Sequence, residues 1–221
     1  MTRSVAMIHT VASLVPSFNE LARELLPGVT VRHFVDESLL AITRETGSVT
    51  PATRRRLLGL VASAEEIGVV AALVTCSSVG EVAEAVREFV GIPVVRVDEA
   101  MAKLAVATGR RIGVVATLDT TLEPTRRLLE RETAASGADH VVVAQLCAGA
   151  FEAGSRGDTE RHDALVAAGI SELARGVDVL VLAQASMARA LVRIDAAQLG
   201  VPVLTSPRSA VEQLAKVAGV A

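Results

Sequence analysis

Residues 69–86, VVAALVTCSSVGEVAEAV, decide the fold class. They open with an almost unbroken apolar run, pass through the polar stretch Thr75-Cys76-Ser77-Ser78, and continue with an amphipathic pattern of helical period. An apolar run without alternation is what a parallel strand needs when helices cover both of its faces. Ser78-Val79-Gly80-Glu81 has the S-x-x-E form of a capping box, which predicts a helix from about Ser78. The stretch thus reads as strand, polar turn and helix, the repeating unit of an α/β protein. It also puts the Cys76 sulfur at an expected helix N-terminus, where the dipole and unpaired N–H groups favour thiolate over thiol.

The same alternation runs through the whole chain. Strands are predicted at 4–8, 29–34, 69–75, 93–97, 111–116, 140–145, 177–182 and 201–204. Helical patterns lie between them, among them PSFNELARELL, TPATRRRLLGLVASAEEI, VGEVAEAVREFV and DTERHDALVAAGISELA. Alternation of this kind predicts parallel sheet with helices on both faces. The pattern also repeats: RRIGVVAT at the fifth strand restarts RSVAMIHT at the first. GIPVVRVDEAMAKLA in the first half likewise pairs with GVPVLTSPRSAVEQLA in the second. The expectation is two pseudo-symmetric lobes with an active-site cleft between them. The first is residues 1–100 completed by 206–221, and the second is 101–205. No Gly-, Ser- or Pro-rich linker separates them.

Composition narrows the partners. The 221 residues are 51% hydrophobic and 21% charged, with a net charge of −3. Aromatics are 2%, without Trp or Tyr, so the basic stripe and stacking rings of a nucleic-acid binder are missing. The N-terminal MTRSVAMIHTVASLVP is interrupted by His9, Thr10 and Ser13 and has no small-residue cleavage site. The longest apolar run, 67–74, is far below the ~18 residues of a membrane span. Two cysteines make no disulfide framework, and free thiols point to a cytoplasmic location. Metal-ligand spacing, a P-loop and a dinucleotide glycine fingerprint are all lacking.

In open parallel sheets, ligands bind beyond the C-terminal ends of the strands. Those ends carry His9-Thr10, Asp36-Glu37-Ser38, Thr75-Cys76-Ser77-Ser78, Asp98-Glu99, Thr117 with Asp119, Thr120 and Thr121, Gln145 and Cys147, Gln184-Ala185-Ser186, and Thr205-Ser206. Cys76 is the candidate catalytic group. Thr117 and LDTTLEPTRRLL form a second expected helix N-terminus, which serves as a carboxylate seat, as ordinary capping by Asp119 or Thr121, or as both. His9 is either a general acid/base or a hydrogen-bonding wall. Asp98 and Glu99 read most simply as helix caps, and Asp36-Glu37 as pocket lining or the start of a loop. Arg54-Arg55-Arg56 reads as a solvated helix face, and His140 and His162 carry no role.

The order of ALVTCSSVGEVA, IPVVRVDEAMAKLA, IGVVATLDTT and GVPVLTSPRSAVEQ resembles the aspartate/glutamate/hydantoin racemase superfamily over nearly the whole chain. The resemblance implies chemistry without metal or pyridoxal phosphate, with one cysteine from each lobe on opposite faces of a substrate α-carbon. Inversion needs a base on one face and an acid on the other. Cys76 matches the first cysteine. At the second, VLVLAQASMA places Gln184, whose neutral amide cannot exchange a proton near neutral pH but can hydrogen-bond a carboxylate or enediolate. Cys147, in the flexible-looking CAGAFEAGSRGD, is the other candidate for the second face.

The leading expectation is therefore a cofactor-independent racemase or isomerase of a small carboxylate (amino acid, diacid or hydantoin). Cys76 is its base or nucleophile, and His9, Thr10, Ser77, Ser78, Thr117, Thr121 and Ser186 bind the substrate. A single thiol also suits maleate-type isomerisation or malonate-type decarboxylation, and a carboxylate-binding protein without turnover is the non-enzymatic alternative. Similar proteins commonly form dimers, so a homodimer is expected, with no nucleic-acid or membrane partner.

Overall fold

A computed structural model describes residues 3–194 and 199–220. Residues 1–2 and 221, at the outer limits of the expected first lobe, and 195–198, within the second, lie outside the described residues. The chain divides into two compact units, one running to Glu99 and rejoined by the segment from Pro207, the other spanning Ala100–Ser206.

The first unit holds β1 (Ser4–His9), α1 (Val15–Leu25), β2 (Thr30–Val35), α2 (Ser38–Thr46), α3 (Pro51–Glu66), β3 (Ala72–Val74), α4 (Gly80–Val86) and β4 (Val94–Arg96), and it is completed by α9 (Ser206–Val217). Its four strands are parallel in the order β2-β1-β3-β4. β1 alternates by strand periodicity: Ala6 and Ile8 join Ala72, Val74, Leu39, Leu57, Val61 and Val82 in one buried cluster beneath α2, α3 and α4. Arg208 on α9 binds Glu24 on α1 at 2.7 Å, tying the C-terminal helix to this unit.

The second unit contains α5 (Glu99–Thr108), β5 (Arg111–Ala116), α6 (Asp119–Ser136), β6 (Val141–Leu146), α7 (Ala150–Ser155), α8 (Thr159–Leu173), β7 (Val179–Leu182) and β8 (Val203–Thr205). Its strands are also all parallel, in the order β6-β5-β7-β8. Ile112, Val114, Val179 and Val181 face α5 and α6, while Val115, Leu180 and Leu182 face α8. Both faces of the sheet are therefore apolar, which explains the near-continuous Val/Ile/Leu runs.

All eight expected strands form, with ends shifted by a few residues. β3 is assigned only over 72–74, yet its pairing runs further. Val70 N donates to Ser4 O at 2.8 Å, and Thr75 N donates to Ile8 O at 3.0 Å. Two local expectations are corrected. The α-helix after Cys76 starts at Gly80 rather than near Ser78, because a 3₁₀ turn, Ser77–Val79, comes first. CAGAFEAGSRGD is not a loose loop, since it contains α7 with Gly149 in the left-handed conformation at its N-cap. The sequence reading also missed α2, whose start is shaped by Asp36: its Oδ1 accepts from Ser38 N at 3.0 Å.

The strand order decides where chemistry can occur. β2 lies on one side of β1 and β3 on the other, so the connections diverge at β1/β3; the same divergence occurs at β5/β7. A topological switch point opens a crevice beyond the strand ends, where the chain leaves in opposite directions. In the first unit that point carries His9, Thr10, Thr75 and Cys76. In the second it carries Thr117 and Gln184.

Candidate active site

In the first unit, Cys76 is the N-cap of the 3₁₀ turn, in extended backbone (φ −128°, ψ 118°), and Val79 N donates to its carbonyl at 3.4 Å. Although part of the residue reaches the surface, burial around the sulfur pushes its pKa above the ordinary thiol value. The Thr10 hydroxyl, the Ser78 N–H and hydroxyl, and the Val79 N–H pull in the opposite direction. The helix terminus expected to favour the thiolate is thus opposed by burial. The α-helix begins four residues later and is short, which weakens what its dipole contributes at the sulfur. Thr10, 2% exposed, makes no hydrogen bond of ordinary geometry to nitrogen or oxygen. Ser77 and Ser78 are buried within the turn.

His9 is fully buried, and both of its ring nitrogens are engaged inside the protein. Nδ1 lies 3.0 Å from Thr75 Oγ1 and Nε2 lies 2.9 Å from His33 Nδ1. Its pKa falls to about 4, first because the ring is buried and then because His33 would share a positive charge with it. His9 is therefore neutral at neutral pH. His33 was missed in the sequence, although the ladder pairs it with Met7 and so sets it on the same strand face as His9. Only the register reveals this. Asp36, offered as pocket lining or loop start, holds Ser38 and accepts two bonds from Arg56 at 3.0 and 2.8 Å. Arg56 is thus an ion-pair partner as well as part of an exposed helix face.

A second buried charge cluster lies beside the thiol turn. Arg96 is 1% exposed; its Nε donates to Asp98 Oδ1 at 2.6 Å and its Nη1 to Glu84 Oε1 at 3.0 Å. Its guanidinium rests against Gly80, where any Cβ would collide with it. Asp98, the residue before α5, is a buried counter-ion of Arg96.

In the second unit, Gln184 stands where the repeat puts it. Thr75 N donates to Ile8 O and Ala183 N donates to Val115 O, each at 3.0 Å. The residues that follow, Cys76 and Gln184, are therefore equivalent. Gln184 also N-caps a 3₁₀ segment, Ala185–Arg193, with φ −131° and ψ 137°, close to the angles at Cys76. By the same ladder, Thr10 corresponds to Thr117. Gln184 Oε1 accepts from Thr117 N at 2.6 Å and from Thr117 Oγ1 at 3.0 Å. The amide oxygen is thus committed within its own unit, leaving the NH₂ as the end that can donate outward.

Thr121 is buried in the first turn of α6 and Ser186 is exposed on the segment after Gln184. The α6 N-cap position is Leu118, and Asp119 opens the helix. Cys147 packs into the core of its unit. It is 6% exposed in the apolar cluster with Val115, Val166 and Ile170, and a Cβ on Gly169 of α8 would lie 2.5 Å from its sulfur. Burial and nearby Glu172 push its pKa up to about 11. His162 binds Asp163 at 2.7 Å, and Arg189 binds the same carboxylate at 3.0 Å, which fastens the segment after Gln184 to α8. Among the described residues, no group of three or more His, Cys, Asp and Glu is arranged to hold a metal ion, and no helix is long and apolar enough to cross a membrane.

A family model described as Asp/Glu/Hydantoin racemase matches residues 5–214, nearly the entire chain. The chain belongs to that family. It is thereby an isomerase-family protein, in the two-lobe α/β racemase fold. Solved structures agree on the fold. Aspartate racemase of Picrophilus torridus is 16% identical, with 98% of this chain and 94% of that chain covered and a TM-score of 0.72. Glutamate racemase of Francisella tularensis, solved with D-glutamate, is 17% identical, with 97% and 80% covered and a TM-score of 0.74. Allantoin racemase of Klebsiella pneumoniae is 19% identical, with 99% and 88% covered and a TM-score of 0.68. No curated protein matches the sequence.

Proposed function

We propose that this racemase-family protein is a cofactor-independent isomerase acting at the α-carbon of a small carboxylate, with the Cys76 thiol as the group that moves the proton. One observation carries the reading: Cys76 follows β3 at the switch point of its sheet, as the N-cap of a buried 3₁₀ turn. The thiolate form of Cys76 takes the α-proton, and the thiol so formed returns it to the carbon, so that the sulfur ends the cycle as it began. His9 is the wall behind Thr10 rather than the acid, since its ring is neutral and engaged on both sides. Thr117, Thr121, Ser186 and the Gln184 amide are the carboxylate and enediolate donors of the second unit. The named activities of the structural neighbours, on glutamate, aspartate and allantoin, support an amino acid, a diacid or a hydantoin-like ring as substrate. We further place the protein in the cytoplasm as a homodimer, on the strength of its two free thiols and the habit of similar proteins.

One observation favours a narrower version. With Gln184 in the position equivalent to Cys76 and Cys147 packed in the core, a single thiol serves the reaction. Single-sided chemistry follows, such as maleate-type cis–trans isomerisation by thiol addition, or malonate-type decarboxylation with reprotonation by Cys76. The test is to incubate candidate acids in D₂O with the wild type and Cys76→Ser, following α-proton exchange by NMR and configuration by chiral chromatography. Exchange with inversion supports racemisation, and exchange with retention supports the single-thiol version. Conversion by Cys76→Ser at the wild-type rate overturns both. Tight binding of acids with no exchange or conversion makes the protein a carboxylate binder instead.

A further inference from the structure

We propose that His33, which lies outside the set of substrate-binding candidates, is a positioning residue for Cys76, acting through His9 and Thr75. This rests on the reading of Cys76 as the reacting thiol. A single file of hydrogen bonds crosses the first unit: Asn19 Oδ1 to His33 Nε2 at 2.9 Å, His33 Nδ1 to His9 Nε2 at 2.9 Å, His9 Nδ1 to Thr75 Oγ1 at 3.0 Å, and Thr75 Oγ1 to Ile8 O at 3.1 Å. It starts on α1, passes through β2 and β1, and ends on the residue bonded directly to Cys76. His9 is its hub. Its ring holds Thr75, and its sequence neighbour Thr10 supplies the hydroxyl that favours the Cys76 thiolate.

Counting protons shows why the file has a direction. Both rings are neutral at neutral pH, because burial lowers the pKa of each. Each neutral ring then carries one N–H, and Thr75 carries one O–H. That makes three hydrogens for the four contacts, with the Ile8 carbonyl accepting at one end. If Asn19 presents its amide oxygen, Thr75 must turn its hydroxyl from Ile8 to His9 for every remaining contact to be filled. If Asn19 presents its NH₂, the fourth hydrogen is supplied. His33 then donates from Nδ1, His9 donates from Nδ1 to Thr75, and Thr75 keeps Ile8. The His33–Asn19 pair therefore selects the His9 tautomer, and the tautomer sets the hydroxyl that anchors the end of β3. A neutral histidine whose tautomer is fixed by its second nitrogen orients what its first nitrogen touches.

The test compares His33→Leu, which removes the hydrogen bond, with His33→Asn, whose side-chain amide reaches the Nδ1 position and can donate or accept there. Asn19→Ala serves as a milder perturbation that keeps both rings. Ring ¹⁵N shifts of His9 report the tautomer, and iodoacetamide labelling of Cys76, read by peptide mass mapping against pH, reports the thiol. Neither readout requires a substrate. In His33→Leu, the expected outcome is a mixed His9 tautomer and several-fold slower Cys76 labelling at neutral pH. His33→Asn restores both, and Asn19→Ala falls between. Unchanged labelling in His33→Leu and Asn19→Ala overturns the proposal, as does equally slow labelling in His33→Asn, which would make ring packing the cause. If the relay behaves as expected but no acid is turned over, the functional reading fails while the relay stands. If acids are turned over and Cys76 ignores His33, the reverse holds.

Discussion

The end of β3 in the first unit and the end of β7 in the second are built on one backbone plan but carry different chemistry. Each follows a 3.0 Å ladder bond to the central strand, holds an extended N-cap residue, and turns into a 3₁₀ segment. Each has a threonine at the neighbouring strand end. In the first unit the buried threonine hydroxyl has no hydrogen-bond partner, and it pulls the Cys76 pKa down. In the second, Thr117 grips the Gln184 oxygen with both its N–H and its hydroxyl. One position is thus left able to ionise, and the other is locked as a neutral donor. An internal repeat can keep its scaffold while dividing proton transfer from charge stabilisation.

The largest effect comes from breaking the reactive side. Cys76→Ser replaces an ionisable thiol with a hydroxyl that does not ionise near neutral pH. Turnover is expected to fall by about a thousandfold or more, measured as α-proton exchange or conversion. Cys76 labelling in the wild type should also climb with pH through the range where an ordinary thiol of pKa ~8.5 has already levelled off, because burial raises its pKa. A plateau near neutral pH would show the turn outweighing desolvation after all.

The opposite side sharpens the comparison. Gln184→Ala removes the donor and leaves Thr117 with two unanswered donors, so kcat is expected to drop by about a hundredfold. Gln184→Cys restores a thiol at the equivalent position. Under the single-thiol version it should convert exchange with retention into measurable inversion. Unchanged stereochemistry would mean that equivalence in the ladder does not carry over to the reaction.

His9 has a counterpart in the repeat, Ala116, which cannot titrate, so acid should expose the difference between the units. The native ring charges only near pH 4, whereas the unfolded ring charges near 6.5. Between those values the unfolded chain binds more protons, so the stability tied to His9 is complete above about pH 6.5 and is lost as pH falls toward 4. The loss is at most about 3 kcal/mol for a shift of that size. Urea midpoints at pH 7 and 4.5, compared with those of His9→Gln, isolate it from the carboxylates. An identical loss in His9→Gln would assign the acid sensitivity elsewhere.

Strand–helix alternation, the eight strands and the restart at RRIGVVAT were legible because buried parallel strands and amphipathic helices leave periodic marks in a sequence. The equivalence of Cys76 and Gln184 could be read from the repeat, since it depends on position along a strand. What sequence could not show was set by depth and register. The S-x-x-E pattern at Ser78 suggested a cap, but it could not report that the sulfur lies in a desolvated turn. His33 carried no motif, and its contact with His9 exists only once β1 and β2 are aligned. Arg96 looked like a strand residue, and only the fold shows it beneath Gly80, against Asp98 and Glu84.

Cys147 provides the smallest effect and the cleanest control. Both cysteines follow parallel strands and both have raised pKa values, yet the causes differ in kind. Cys76 is desolvated among donors that can hold a negative sulfur, whereas Cys147 is desolvated among Val115, Val166 and Ile170, with Glu172 repelling the thiolate. A buried thiol without donors behaves as a small hydrophobe, so its loss is a packing event. Cys147→Ala should cost about 1 kcal/mol of stability by thermal or urea unfolding, as the Gly169 contact opens a small void. It should leave the rate and stereochemistry of turnover unchanged. A rate loss beyond the stability loss would return Cys147 to the reaction and make the second unit, rather than the first alone, a source of thiol chemistry.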